Sequence, residues 1–250
     1  MNKPVGNYKQ WLFAVRVVLF TVLAFLGGQL VGATILTSLL TAFGMKEQYV
    51  SWALESHEVI RFLLILTVEL ITVYFIYLLL KRSKQTFKTI GLSGRPKRRD
   101  AIWTIKGFAL YFVTFITVFA IISQTGLIDT NQSQQLGFVN PSGFGLLWAF
   151  LSLVILPPIV EEIVFRGYLL TNLKKYINVY ASAIVVSVLF AAAHLELGSG
   201  VSPNFAAALD TFVLSLVLVY VTHKTNSLYP AIGIHAVKNL IAFVTLFVLK

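Results

Sequence analysis

Long apolar stretches alternate with short polar ones from one end of the chain to the other. After a polar start with Lys3 and Lys9, the first apolar run extends from Trp11 to about Phe43, interrupted only by Arg16 and the pair Gly27-Gly28. A second covers about Ile60 to Leu80 and holds Glu69, and a third covers about Ala101 to Ser123 with Lys106 near its start. The fourth runs from about Phe144 toward Lys174-Lys175 and passes through Pro157-Pro158, Glu161, Glu162 and Arg166. The fifth spans about Val179 to Leu197 and the sixth about Phe205 to Thr222, while the seventh starts after Asn226-Ser227-Leu228-Tyr229-Pro230 and ends near Leu249. A helix needs about 20 apolar residues to cross a hydrocarbon core about 30 Å thick. The pattern therefore predicts an all-α, polytopic transmembrane bundle of about seven crossings, with residues 1–250 as one membrane domain.

Composition supports this reading and removes several functions. With 57% hydrophobic and 12% charged residues and a mean hydropathy of +0.81, too little polar surface exists to coat a soluble globule. Cysteine is absent, which excludes disulfides, thiolate zinc sites and cysteine nucleophiles. The net charge of +10 suggests nucleic acid at first sight, but the basic residues lie in the loops between apolar runs. There they orient the chain against membrane lipid, so nucleic acid is not expected as a partner. The most basic loop, Lys81 to Asp100, carries Lys81, Arg82, Lys84, Lys88, Arg95, Lys97, Arg98 and Arg99. It is expected in the cytoplasm together with the N-terminus, and the Asp129-containing loop from Gln124 to Gly143 is expected outside. The first run carries Arg16 and has no small-residue cleavage site, which marks it as a mature helix and not a signal peptide.

The candidate chemistry lies in the last four runs. Glu161, Glu162 and Arg166 are ionisable groups at membrane depth, each costing about 2.5–3.5 kcal/mol on insertion scales, and so point to a functional site. Glu162 and Arg166 are four apart, as are Phe190 and His194, and again His235 and Asn239. That spacing places each pair on one helix face. Glu161 points about 100° from Glu162, so the two carboxylates divide their roles: Glu162 pairs with Arg166, and Glu161 faces a cavity. The prolines free backbone carbonyls and are expected to kink or break the fourth helix, which requires protein or a wet cavity to supply partners.

Two hydrolytic arrangements fit these residues. In one, His194, His235 and Glu161 bind a divalent metal such as zinc, with the other glutamate as base. In the other no metal is needed: Glu161 and His194 deprotonate water, and His235 and Asn239 donate to the oxyanion. The His-Glu-x-x-His zinc helix is absent. Helical rise puts Glu161 and His194 at matching depths, roughly 20 and 23 Å above the ends of their helices, but leaves His235 only about 10 Å above Leu228. Either the fourth helix breaks or the Asn226–Pro230 turn dips inward.

The motifs Glu161-Glu162-x-x-x-Arg166, Phe190-x-x-x-His194 and His235-x-x-x-Asn239, in that order on successive apolar runs, resemble the set of the CPBP (Abi) family. These are intramembrane proteases related to type II CAAX prenyl endopeptidases and include bacteriocin-processing and bacteriocin-immunity members. The resemblance covers roughly residues 145–245, including Asn226-Ser-Leu-Tyr-Pro-Ala-Ile-Gly-Ile-His235. It implies a membrane endopeptidase of the bacterial cell membrane acting on a peptide or protein tail. In that scheme the first glutamate and His194 activate water, with His235 and Asn239 assisting. A non-enzymatic immunity or binding protein on the same fold, and a proton-coupled transporter using Glu69, Asp210 and the pair Glu161-Glu162 as relays, are the competing readings. Elsewhere, Arg16 and Glu69 are expected to pair across the first two helices, Asp210 to be a satisfied polar residue, and His223 to be exposed. Glu196 is expected to face away from His194.

Overall fold

The computed structural model describes residues 8–126, 137, 138, 140–195 and 204–249. Among them every regular element is helical: α1 (Tyr8–Ala42), α2 (Glu47–Ser56), α3 (Glu58–Arg82), α4 (Arg98–Ser123), α5 (Phe144–Leu173), α6 (Val179–Ala193), α7 (Phe205–Thr225) and α8 (Tyr229–Phe247). Six of these, all but α2 and α6, are long and apolar enough to cross a membrane. The protein is therefore an integral membrane protein built as a helical bundle. At 15 residues, α6 is about 22 Å long and stops at Ala193, so His194 is its C-cap residue and not part of a helix reaching Leu197. Glu196, Asp129 and the expected turn over 198–203 lie outside the described residues.

The segment read as a polar loop, 46–58, contains the short helix α2. Val50 and Ala53, three apart, are buried and give it a packing face, while Tyr49 and Trp52 stay exposed. Such amphipathic rings are common at the membrane–water boundary. Next to it, α1 and α3 approach almost backbone to backbone. A Cβ on Gly32 would come within 2.6 Å of Val68 Cα, and one on Gly28 within 2.9 Å of Thr72 Cα. Glycines four apart on one face permit this contact between membrane helices. Arg16 does not pair with Glu69: its guanidinium lies over Phe13 and Phe20, 6.0 and 5.9 Å from the ring centroids, because rings on its own helix are within reach without crossing the bundle.

Helix α5 is continuous from Phe144 to Leu173, so of the kink or break expected at Pro157-Pro158 the break does not occur. The strain is taken up by two windows of wider π-helical winding, Leu151–Ile155 and Ile163–Leu170. In an α-helix the Leu153 carbonyl would accept from residue 157, and in a π-helix from residue 158. Both are prolines without an N–H. Asn239 Nδ2, from α8, donates to that carbonyl at 2.9 Å instead. Single-turn π windows in otherwise α-helical segments are often found at functional sites.

The shallow position expected for His235 is resolved by the turn before α8. Leu228 is fully buried and Ser227 nearly so, and the Leu228 N–H donates to the Gly91 carbonyl at 3.0 Å. Ile90 is buried beside Gly167 of α5. The 226–228 turn therefore dips into the protein beneath the 86–91 segment. Asn226 takes a left-handed conformation at φ 51° to end α7, and Arg99 Nη2 caps the freed Thr225 carbonyl at 2.9 Å.

Candidate active site

The polar residues of α5, α6 and α8 meet around one fully buried ring, that of Phe190. Its centroid lies 4.2 Å from the Arg166 guanidinium carbon, 4.6 Å from the His194 ring and 5.7 Å from the His235 ring. Phe165 closes a fourth side edge-on at 5.1 Å. A phenyl ring has no acid–base chemistry, so its part is to hold three functional groups apart and keep lipid out. The π face also covers Arg166, whose Nε and Nη2 have no hydrogen-bond acceptor among the described residues; such cation–π contacts are stronger when desolvated.

Glu161 and Glu162 diverge as their 100° offset requires. Glu162 and Arg166 are both fully buried and form an ion pair at 2.9 Å between Oε1 and Nη1. The same Oε1 lies 3.1 Å from His235 Nδ1. Glu161 faces a cavity of about 190 Å³ lined also by His194, Lys238, Asn239, His235 and Thr211. Its Oε2 has no hydrogen-bond partner among the described residues but stands 3.8 Å from His194 Nε2 and 3.9 Å from His235 Nε2. So the structure brings Glu161, Glu162, Arg166, His194, His235 and Asn239 into one cluster spanning α5, the end of α6, and α8.

The outer nitrogens of the imidazoles fix their tautomers. His194 Nδ1 is 2.8 Å from the Phe190 carbonyl, which can only accept, so Nδ1 carries the hydrogen. His235 Nδ1 likewise donates to the Glu162 carboxylate. In the neutral rings both Nε2 atoms are then bare acceptors, and both point at Glu161. A larger, mainly apolar cavity of about 500 Å³ lies on the other side of Phe165, among α1, α5 and α6, with no ionisable side chain among the described residues of its lining.

The atoms offered to a divalent metal are Glu161 Oε2 and the two Nε2. Ligands at about 2.0–2.2 Å on one tetrahedral zinc lie roughly 3.4 Å from one another. Among the described residues no group of three His, Asp or Glu side chains is spaced to hold an ion, and Glu161 Oε2 stands 3.8 and 3.9 Å from the two Nε2 atoms.

Three residues at the site escaped sequence reasoning or changed role. Lys238 lines the cavity, and its Nζ is 3.2 Å from Asp210 Oδ2. The other oxygen, Oδ1, accepts from the Tyr111 hydroxyl. Asp210 is thus satisfied, as expected, but by a partner inside the site. The available signal was a lysine three residues after His235 in an apolar run. Asn239, expected to serve an oxyanion, gives one amide hydrogen to Leu153. His223 is exposed at the end of α7, as expected.

Residues 143–241 match the family model described as Rce1-like, type II CAAX prenyl endopeptidase Rce1-like. No curated protein and no solved structure matches the chain. The matched stretch contains all six clustered residues and closely follows the span over which the motifs show their resemblance.

Proposed function

We propose that this protein, a membrane protein carrying an Rce1-like protease domain, is an intramembrane endopeptidase. Glu161 is its general base, assisted by His194, and acts on a water held between them. The reading rests on one observation: two bare imidazole nitrogens converge at 3.8 and 3.9 Å on a buried carboxylate oxygen that has no partner of its own. Such gaps are too long for direct hydrogen bonds and fit one bridging water.

The chemistry follows from those positions. The water donates one hydrogen to Glu161 Oε2 and the other to an Nε2. As its oxygen bonds to the scissile carbonyl carbon, Glu161 takes the first proton and the C=O electron pair moves onto the oxygen. When that pair re-forms the carbonyl, the C–N bond breaks and Glu161 passes its proton to the leaving nitrogen. General acid–base catalysis of this kind contributes about 10²–10⁴-fold. Glu162 and Arg166 act at one remove. Their ion pair fixes Glu162 Oε1, which orients the His235 ring so that Nε2 faces the water. Asn239 ties α8 to the proline-interrupted part of α5, which keeps His235 and Glu161 in register.

The substrate is a peptide or protein tail entering from the lipid or the cytoplasm, with the basic segment 81–99 on the cytoplasmic side. The decisive experiment gives the full chain, reconstituted in nanodiscs, a proteome-derived peptide library read by mass spectrometry. Wild type should generate new peptide termini and Glu161→Gln should generate none, with both inserted and equally stable to heat. Equal cleavage by Glu161→Gln would refute the assignment.

A further inference from the structure

The hydrogens that could meet the negative oxygen of the tetrahedral intermediate are nearly all committed. His194 and His235 each spend their Nδ1–H outside the cavity, on the Phe190 carbonyl and on Glu162. Thr211 turns its hydroxyl to the Ala207 and Ala208 carbonyls. Asn239 has one amide hydrogen on the Leu153 carbonyl, leaving a single neutral N–H. Among the described lining residues the only lysine or arginine is Lys238. Its ammonium carries three donors, and its ion-pair partner among the described residues is Asp210.

We infer that Lys238 is the electrostatic stabiliser of the oxyanion in the reaction proposed above, held in place by the Asp210–Tyr111 pair. This rests on the endopeptidase reading and adds a residue to it. His235 and Lys238 are three apart on α8, so their Cβ atoms are about 5–6 Å apart on one face. A four-carbon stem covers that separation, so an ammonium anchored at Asp210 can lie beside a carbonyl attacked by water at Glu161. The Tyr111 hydroxyl on Asp210 Oδ1 leaves Oδ2 for Lys238 and fixes the direction of the stem. In a dry site a fixed positive charge acts most strongly where negative charge develops, so its effect should fall on the transition state and not on substrate binding. The plainer alternative is that Asp210 and Lys238 merely tie α7 to α8.

The test uses the full chain in nanodiscs and the best-cleaved peptide of the proteome-derived library. Lys238→Met should lower kcat by about 10²–10³-fold with KM little changed, and Lys238→Arg should restore a substantial part of the loss. Asp210→Asn/Lys238→Met removes both charges, so it should be as heat-stable as wild type yet as slow as Lys238→Met. Wild-type kcat in either methionine variant would overturn the inference, as would a defect confined to KM for peptides bearing a carboxylate near the cleaved bond. If Glu161→Gln is inactive while Lys238→Met is fully active, only this inference fails. If wild type cleaves nothing, the endopeptidase reading fails and takes this one with it.

Discussion

The contact between α1 and α3 and the contact of α5 with α6 and α8 both exclude lipid, but by different means. Between α1 and α3, Gly28 and Gly32 remove the side chains altogether and bring two backbones together; a polar group at the seam, Thr72 Oγ1, bonds back to its own helix at Val68 O, 2.9 Å away. Around α5 the polar groups point across helices: Glu162 to His235, Asn239 to Leu153, and Glu161 toward two imidazoles. The first seam depends on shape, and the second on each charge retaining its partner. A substitution should therefore slow chemistry, weaken the fold or do neither, according to which seam it touches.

The largest difference should come at Glu161→Gln. It removes a base without removing a hydrogen bond, so proteolysis should drop by about 10²–10⁴-fold while the thermal midpoint in nanodiscs is unchanged. Arg166→Met tests the neighbouring carboxylate. It leaves Glu162 buried without its cationic partner and with the His235 N–H alone to hold it; breaking a buried ion pair typically costs about 3–5 kcal/mol, so the midpoint itself should collapse. Pairing it with Glu162→Leu should recover stability but not activity. Gly32→Leu forces α1 and α3 apart and should cost about 1–3 kcal/mol, with activity per folded molecule intact. Asn239→Leu straddles the two classes: it orphans the Leu153 carbonyl at about 1–3 kcal/mol and should also reduce kcat by shifting His235. At the small end, Arg16→Leu should change stability by no more than about 0.5 kcal/mol, since Arg16 is exposed and lies over two rings of its own helix. A large loss there would mean that the N-terminal helices communicate with the site.

Periodicity and spacing carried the reading furthest where the physics is local. The apolar runs located the long helices because lipid leaves little choice, and the four-residue spacings marked which side chains share a face. The 100° offset between Glu161 and Glu162 was enough to separate a buried ion pair from a cavity carboxylate. What the sequence did not show depends on partners distant along the chain. Whether Pro157-Pro158 would break α5 turned on the Asn239 amide, 86 residues from the Leu153 carbonyl that it satisfies. The depth of His235 depended on Leu228 bonding to Gly91. Lys238 reads as an ordinary lysine until Asp210 and Tyr111, from two other helices, converge on it. The Arg16–Glu69 pairing failed because opposite charge on neighbouring helices says nothing about which way each side chain faces.

The shortness of α6 has a consequence for how the site is supplied. At about 22 Å it falls roughly 8 Å short of a hydrocarbon core about 30 Å thick, and His194 lies at its end. A membrane accommodates such a mismatch by pinching inward, which draws headgroups and the moisture they carry down beside the imidazole. In the endopeptidase reading each turnover consumes a water in a place that is otherwise oily, and such an indentation would deliver it from the flank without a pore through the bundle. Turnover should then slow as the acyl chains of the surrounding phospholipid are lengthened.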